Sequence, residues 1–299
     1  MKIYNRIKQI GLQAAWLKFK QWLFSPSAEV INLCARNGAY EYLQRYKYAC
    51  KSKPNLETSL KAKIIWTCWW QGEENAPALV KKCISSMRQY AGENEVVVID
   101  ANNLQDYVSL PLYILEKHDK GIIKHTQFAD IIRLSLHEKY GGCWIDATIL
   151  LTDVLPDYIQ NADIFCFSTD RSGVIKVESP FISSCAHHPV ISDVLSLHYE
   201  YWAHENKLIS YSIIHLFFTI AFESSELNLK FLENMPFVYW YKMDYLIHLL
   251  SKPYNENTYQ LINKLSSIHK LTYKFEQYGV DITQKGTFYD VLINGNESC

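Results

Sequence analysis

Tyr140-Gly141-Gly142-Cys143-Trp144-Ile145-Asp146-Ala147-Thr148 concentrates more chemistry than any other stretch of this 299-residue chain. A helix-like segment ends in two glycines, and a short apolar run then delivers one carboxylate with a hydroxyl two residues on. Residues two apart on an extended segment point to the same side, so Asp146 and Thr148 can face one ligand together. A carboxylate at a strand end can hold Mg²⁺ or Mn²⁺, hard cations that prefer oxygen ligands and share their shell with water and phosphate. The same residues also suit a plain buried strand ending in a turn with a capping Asp.

Other residues offer chemistry of their own. Asp130 and Arg133 stand three apart on one helical pattern and so face the same way, either toward a ligand or as a simple intrahelical ion pair. Thr67, Trp69, Trp70 and Gln71 close an apolar run, where an indole can stack on a flat ring or fill core. Asp100, Asn102 and Asn103 follow a second apolar run and read equally well as a polar loop. His215 lies in Tyr211-Ser212-Ile213-Ile214-His215, where a core histidine is the commoner state. His187-His188 precede Pro189 as a helix-opening turn would, and Asp244 is a further oxygen donor.

The elements that carry these residues alternate. Ile64 to Trp70 and Val96 to Ile99 are continuous apolar runs, suited to strands buried on both faces. Pro77 opens a helix with Val80, Cys83, Ile84 and Met87 on one side, and another helix follows Pro111. A helix spans about Gln127 to Tyr140, followed by strands at Cys143–Asp146 and Ile164–Phe167. Helices at His188–Ala203 and Tyr211–Glu223 come next, and residues 236–299 show no clear period. Strand–helix alternation predicts an α/β fold with a mostly parallel sheet flanked by helices. Ligands of such sheets bind beyond the carboxyl ends of the strands, and Trp70, Gln71, Asp100 and Asp146 all lie near such ends.

Composition narrows the function. Lys plus Arg number 30 and Asp plus Glu 31, so no basic excess points to nucleic acid. None of the 8 cysteines forms a C-x-x-C pair, and Cys68, Cys143 and Cys166 sit inside apolar runs as small hydrophobes of a reducing compartment. No leader or membrane-spanning run is evident, which predicts a cytoplasmic protein. The first 24 residues carry Lys2, Arg6, Lys8, Lys18 and Lys20 without an acid, and an apolar stripe at helical spacing. That pattern suits either a helix lying on an anionic membrane surface, peripheral at the inner face of the plasma membrane, or one packed on the protein itself. Three regions are expected: an N-terminal helical segment (1–55), a main domain (56–250) and a C-terminal extension packed on it (251–299).

Four motifs in order resemble the bacterial capsular polysaccharide synthesis proteins. They are Ile65-Trp66-Thr67-Cys68-Trp69-Trp70-Gln71-Gly72; Pro77 with Val80-Lys81-Lys82-Cys83-Ile84; Phe128-Ala129-Asp130-Ile131-Ile132-Arg133-Leu134; and Tyr140 to Thr148. Those proteins are similar to glycosyltransferase family 32, with yeast mannosyltransferase-like enzymes and distant relatives among glycosylating toxins. The resemblance covers roughly residues 60–250. It implies a GT-A-like fold and a nucleotide-sugar donor, a UDP-sugar by expectation. It also implies Mn²⁺ or Mg²⁺ as cofactor and a hexose transferred, with retention, to a growing lipid-linked cell-surface saccharide.

On that reading Asp146 holds the metal and diphosphate, and Thr148 meets metal-bound water or ribose. His215 is the remote metal ligand, and Asp130 and Arg133 approach the nucleotide. Thr67, Trp69, Trp70 and Gln71 bracket the base, and Gly142 allows close backbone approach. Two departures stand out. The usual D-x-D is Asp146-Ala147-Thr148, a form the capsular relatives commonly show, and Ala129 stands where relatives often have Ser. An inverting enzyme would need a carboxylate base, for which Asp170, Glu178 and Asp193 are candidates and none is assigned. The absent second carboxylate motivates a rival, a catalytically silent glycan- or nucleotide-binding subunit of an assembly complex. A metal-dependent phosphotransferase has neither a P-loop nor a carboxylate cluster in its favour.

Overall fold

The unbroken apolar run at Ile64 becomes an inner strand of a five-stranded sheet in the computed structural model, which describes residues 28–51, 61–170 and 173–295. The strand β1 (Ile64–Cys68) lies between β2 (Glu95–Ile99) and β3 (Gly142–Ile145), both parallel to it. Beyond β3 come β6 (Val177–Ser184), antiparallel to it, and β5 (Ile164–Ser168), antiparallel to β6. The order is β2-β1-β3-β6-β5, and β6 alone runs against the rest. This is the mostly parallel α/β sheet that the sequence predicts. The carboxyl ends of β1, β2 and β3 therefore open on one rim.

Side chains alternate across the sheet as the two-residue period requires. Trp66, Trp144, Cys166 and Ile182 face a core built with the helices α4 (His125–Tyr140), α5 (Pro189–His204) and α6 (Ile213–Phe222). These follow, in chain order, α1 (Ala28–Leu43), α2 (Ala78–Gln89) and α3 (Leu112–Asp119). The sequence of α6, IIHLFFTIAF, is apolar nearly all round, and the helix is correspondingly buried on almost every side. On the opposite face Ile65, Ile145, Phe165 and Phe181 pack with Met87 of α2.

A second, two-stranded sheet pairs β4 (Ile149–Leu151) with β7 (Ile268–Lys270), placing Ile149 opposite Lys270. The stretch that sequence alone reads as a C-terminal extension thus supplies a strand to the rim. It also supplies Ile262, Leu271 and Phe288 to a core shared with Leu79, Val80 and Ala147.

Two local devices set the position of β3. Gly141 ends α4 at φ 67° and Gly142 starts the strand at φ 99°, a region that favours glycine. A Cβ on Gly142 would lie 2.6 Å from the carbonyl oxygen of Ile64, and one on Gly141 2.5 Å from the amide of Ala186. Both the cap and the close approach are therefore required. The second device is in β6, which the sequence does not announce because Pro180 stands inside it. Its register against β5 shifts between Cys166 and Phe167, and proline is tolerated at such a bulge. The bulge leaves Ser179 and Pro180 with carbonyls free to bond outside the ladder.

The apolar run predicts a strand as far as Trp70, but the strand ends at Cys68. The Trp69 amide bonds the Ile99 carbonyl (3.0 Å) and the Gly72 amide returns to the Trp69 carbonyl (2.9 Å), turning the chain. The amphipathic helix expected over the first 24 residues lies outside the described residues, as does most of the connection at 51–55. No helix among the described residues is long and apolar enough to cross a membrane.

Candidate functional site

Asp146 is the first residue past β3. Its amide donates to the Pro180 carbonyl (2.9 Å) and its own carbonyl accepts from Ile149 (2.8 Å), so the chain turns there into β4. The side chain shares a face with Trp144, whose Nε1 donates to Asp146 Oδ1 at 2.8 Å. Arg133 Nη2 lies 3.4 Å from the same oxygen, and Lys270 Nζ donates to Oδ2 at 2.7 Å. Burial raises the carboxyl's pKa, but Lys270 and Arg133, with the hydrogen bonds from Lys270 and Trp144, outweigh it and hold it below the ordinary range. The side chain remains 22% exposed, which leaves it reachable from solvent.

Arg133 comes from α4 and is almost wholly buried. It pairs with Asp130 one turn back (3.1 Å), donates to the Ser179 carbonyl at the β6 bulge (2.6 Å), and lies 4.9 Å over the Trp144 ring. Its Nε has no hydrogen-bond partner among the described residues. Burial pushes Asp130 up to about 7 despite Arg133, with Asp146 adding to the rise.

Lys270 is the residue that sequence reading misses. The β4–β7 pairing delivers it, and its Nζ also donates to Thr148 Oγ1 at 2.8 Å. The Leu271 amide ties the same segment to the Thr148 carbonyl (2.8 Å). A three-residue strand leaves no readable period, so no local signal in 236–299 marks this lysine. Tyr273, three residues on, was equally hidden and meets Trp69 edge to face at 5.3 Å.

Three adjoining cavities open around this cluster. One of about 370 Å³ is lined by Arg133, Asp146, Thr148 and Lys270, with Trp69 and Tyr273. A second, of about 440 Å³, shares Trp69 and Tyr273 and extends along Trp70, Gln71 and His125. The third, of about 530 Å³, shares Arg133, Asp146 and Lys270 and adds Asp130, Glu178 and His215. Of the sequence-predicted residues, Trp69, Trp70, Gln71, Asp130, Arg133, Asp146, Thr148 and His215 all line this chain of cavities. Thr67 and Gly142 do not: Thr67 is fully buried within β1, and Gly142 is spent on backbone packing. The buried indole nitrogen of Trp69 has no partner among the described residues.

His215 sits in the third cavity with Nε2 3.0 Å from Ser179 Oγ and 3.3 Å from Glu178 Oε2. Burial lowers its pKa although Glu178 opposes the shift. In the same cavity burial lifts the Asp244 carboxyl to about 6. Other candidates have structural work. Asp193 is buried and accepts from Asn228 Nδ2 (2.8 Å). Asp100 accepts from the amides of Asn102 (2.7 Å) and Asn103 (3.1 Å). His188 accepts from the Val190 amide at the start of α5. Asp170 lines none of the three cavities.

The donor set does not fit a metal shell as it stands. No three His, Cys, Asp or Glu side chains converge as ligands among the described residues. The carboxylate of Asp146 already faces two protein cations, and His215 is engaged with Glu178 and Ser179.

Comparison with known proteins agrees with the motif reading. Residues 23–292 match the family described as capsular polysaccharide synthesis protein. A 122-residue stretch is 32% identical to the O-glycosyltransferase PaGT of Phomopsis amygdali, covering 36% of this chain and 30% of that protein. The chain thus spans less than a third of the length of that relative. Among solved structures it is similar to the PaToxG glycosyltransferase, with 15% identity and a TM-score of 0.40 over 89% of this chain and 95% of that one.

Proposed function

From the premise that the chain belongs to the capsular polysaccharide synthesis protein family, we propose that it transfers a hexosyl group from a nucleoside-diphosphate sugar to a growing cell-surface saccharide. The observation that carries this reading is the position of Asp146. It stands at the carboxyl-end rim of the sheet, partly exposed, between cavities that also present Arg133, Lys270 and Thr148. Aromatic rings flank one side of that cluster, and a cavity with acidic and histidine side chains opens on the other.

The division of the space suggests the binding mode. The cavity of Trp69, Trp70 and Gln71 takes the base, a uracil in the UDP-sugar expected here. The diphosphate lies at Arg133 and Lys270, whose cations offer charge-assisted hydrogen bonds. The cavity of Glu178, His215 and Asp244 takes the acceptor. In the reaction the bond from the anomeric carbon to the diphosphate oxygen breaks, its electron pair staying with the diphosphate. The acceptor oxygen bonds that carbon, and on a retaining course its proton passes to the departing diphosphate oxygen, so no protein base is required. Positive charge fixed beforehand at that oxygen stabilises the transition state. The basic first 24 residues would hold the protein at the anionic surface that carries a lipid-linked acceptor.

A thermal-shift panel of nucleotide sugars, followed by mass spectrometry of the products with a saccharide acceptor, tests the reading. One donor class should raise the melting temperature and lose its hexose. Binding without turnover would favour the silent subunit, and no response to any nucleotide sugar would overturn the assignment.

A further inference from the structure

Lys270 holds the carboxylate on which the sequence reading expects a metal. Its ammonium bonds Asp146 Oδ2 at 2.7 Å and Thr148 Oγ1 at 2.8 Å, so it engages one carboxylate oxygen and the hydroxyl of the Asp-Ala-Thr motif. A divalent ion on Asp146 would share that carboxylate with an ammonium and a guanidinium, and like charges at such range repel. An ammonium carries three donors, and two of those on Lys270 are taken in these bonds. Arg133, fixed by Asp130 and the Ser179 carbonyl, adds a second cation on the other oxygen of the same carboxylate.

Resting on the nucleotide-sugar reading above, we propose that Lys270, with Arg133, supplies the positive charge the departing diphosphate needs, so that this site transfers its sugar without a divalent metal. Asp146 is then a positioning residue: it holds Lys270 and Arg133 side by side at the rim. Thr148 completes the lysine's seat, which accounts for a hydroxyl two residues after the carboxylate where a second acid would pull the ammonium away from the ligand. Lys270 borders both the diphosphate and the acceptor cavities, the position from which one cation can follow the bond that breaks. Balance is kept by ordinary charge: the electron pair of the broken bond remains on the diphosphate oxygen, and Lys270 donates a hydrogen bond to it.

The test is calorimetric titration of UDP into the full-length protein, in EDTA and in MnCl₂, for the wild type, Lys270→Met and Lys270→Arg, with circular dichroism to confirm folding. UDP should bind the wild type about equally well with and without metal. Lys270→Met should weaken it about tenfold or more in both buffers, as loss of a charged hydrogen bond does, and Lys270→Arg should recover most of the loss. Binding that appears only with Mn²⁺ and survives Lys270→Met would overturn this inference and leave the nucleotide-sugar reading intact. Failure of UDP and of other nucleoside diphosphates to bind in either buffer would remove both.

Discussion

Trp144 and Asp146 are joined by a hydrogen bond from the indole Nε1 to Oδ1 at 2.8 Å, across a single intervening residue. The strand period puts them on one face, and Arg133 lies over the same indole. The ring therefore fixes the carboxylate and guanidinium with one rigid side chain. Trp144→Phe keeps most of the apolar volume but deletes the donor. Turnover should fall about tenfold, since a hydrogen bond to a charged group is worth about 1.5–3 kcal/mol, while the fold survives. Steady-state kinetics beside a melting curve would show whether rate falls further than stability.

Trp69 lines the cavity assigned to the base and offers it a ring. Stacking of a base on an aromatic ring is worth about 1–3 kcal/mol. Trp69→Ala should raise the KM for the donor about tenfold and leave kcat nearly unchanged. An equal fall in kcat would place the indole at the reacting end instead.

Three buried histidines make the protein acid-labile. Burial pushes His137, His188 and His198 down to about 3 from an ordinary 6.5. Each takes up a proton on unfolding, so the stability they support is whole above about 6.5 and is lost as pH falls toward about 3, at about 1.4 kcal/mol per proton per pH unit. Melting temperatures measured down this range should fall steeply. His198, with both ring nitrogens unpartnered among the described residues and its edge on Phe217, tests the cause: His198→Leu should gain on the wild type as pH falls from 7 to 5. A gap that does not change with pH would contradict it.

Gly142→Ala should destabilise strongly, by on the order of 3 kcal/mol or more, because a positive φ and a backbone clash coincide there. Gly92, with φ 61° and nothing within 4 Å of an added Cβ, is the control. Gly92→Ala should cost only about 1 kcal/mol. Denaturant melts of the two variants would separate strain from clash.

The sheet was legible where apolar runs are continuous and helices carry their period: β1, β2, β3, β5 and α4 fall within a few residues of the sequence reading. The strand β6 was hidden by Pro180, whose bulge lies within a strand rather than ending one. β4 and β7 are three residues each, too short for a pattern. The rim position of Asp146 was legible from the Gly-Gly turn, and Asp130 and Arg133 from their spacing. Lys270 was not, because only the pairing of two short strands brings it 124 residues back to Asp146. Alternation in β1 turns the Thr67 side chain into packed core, so it lines none of the three cavities.

The most direct measurement is hexose release from the nucleotide sugar selected by the thermal-shift panel, followed for the wild type and for Asp146→Asn at matched folding. Multiple turnovers are expected of the wild type and a loss of about a hundredfold or more in the variant, because Lys270 and Arg133, the cations that meet the developing charge, lose the carboxylate that seats them. Equal rates for the two proteins would contradict that expectation.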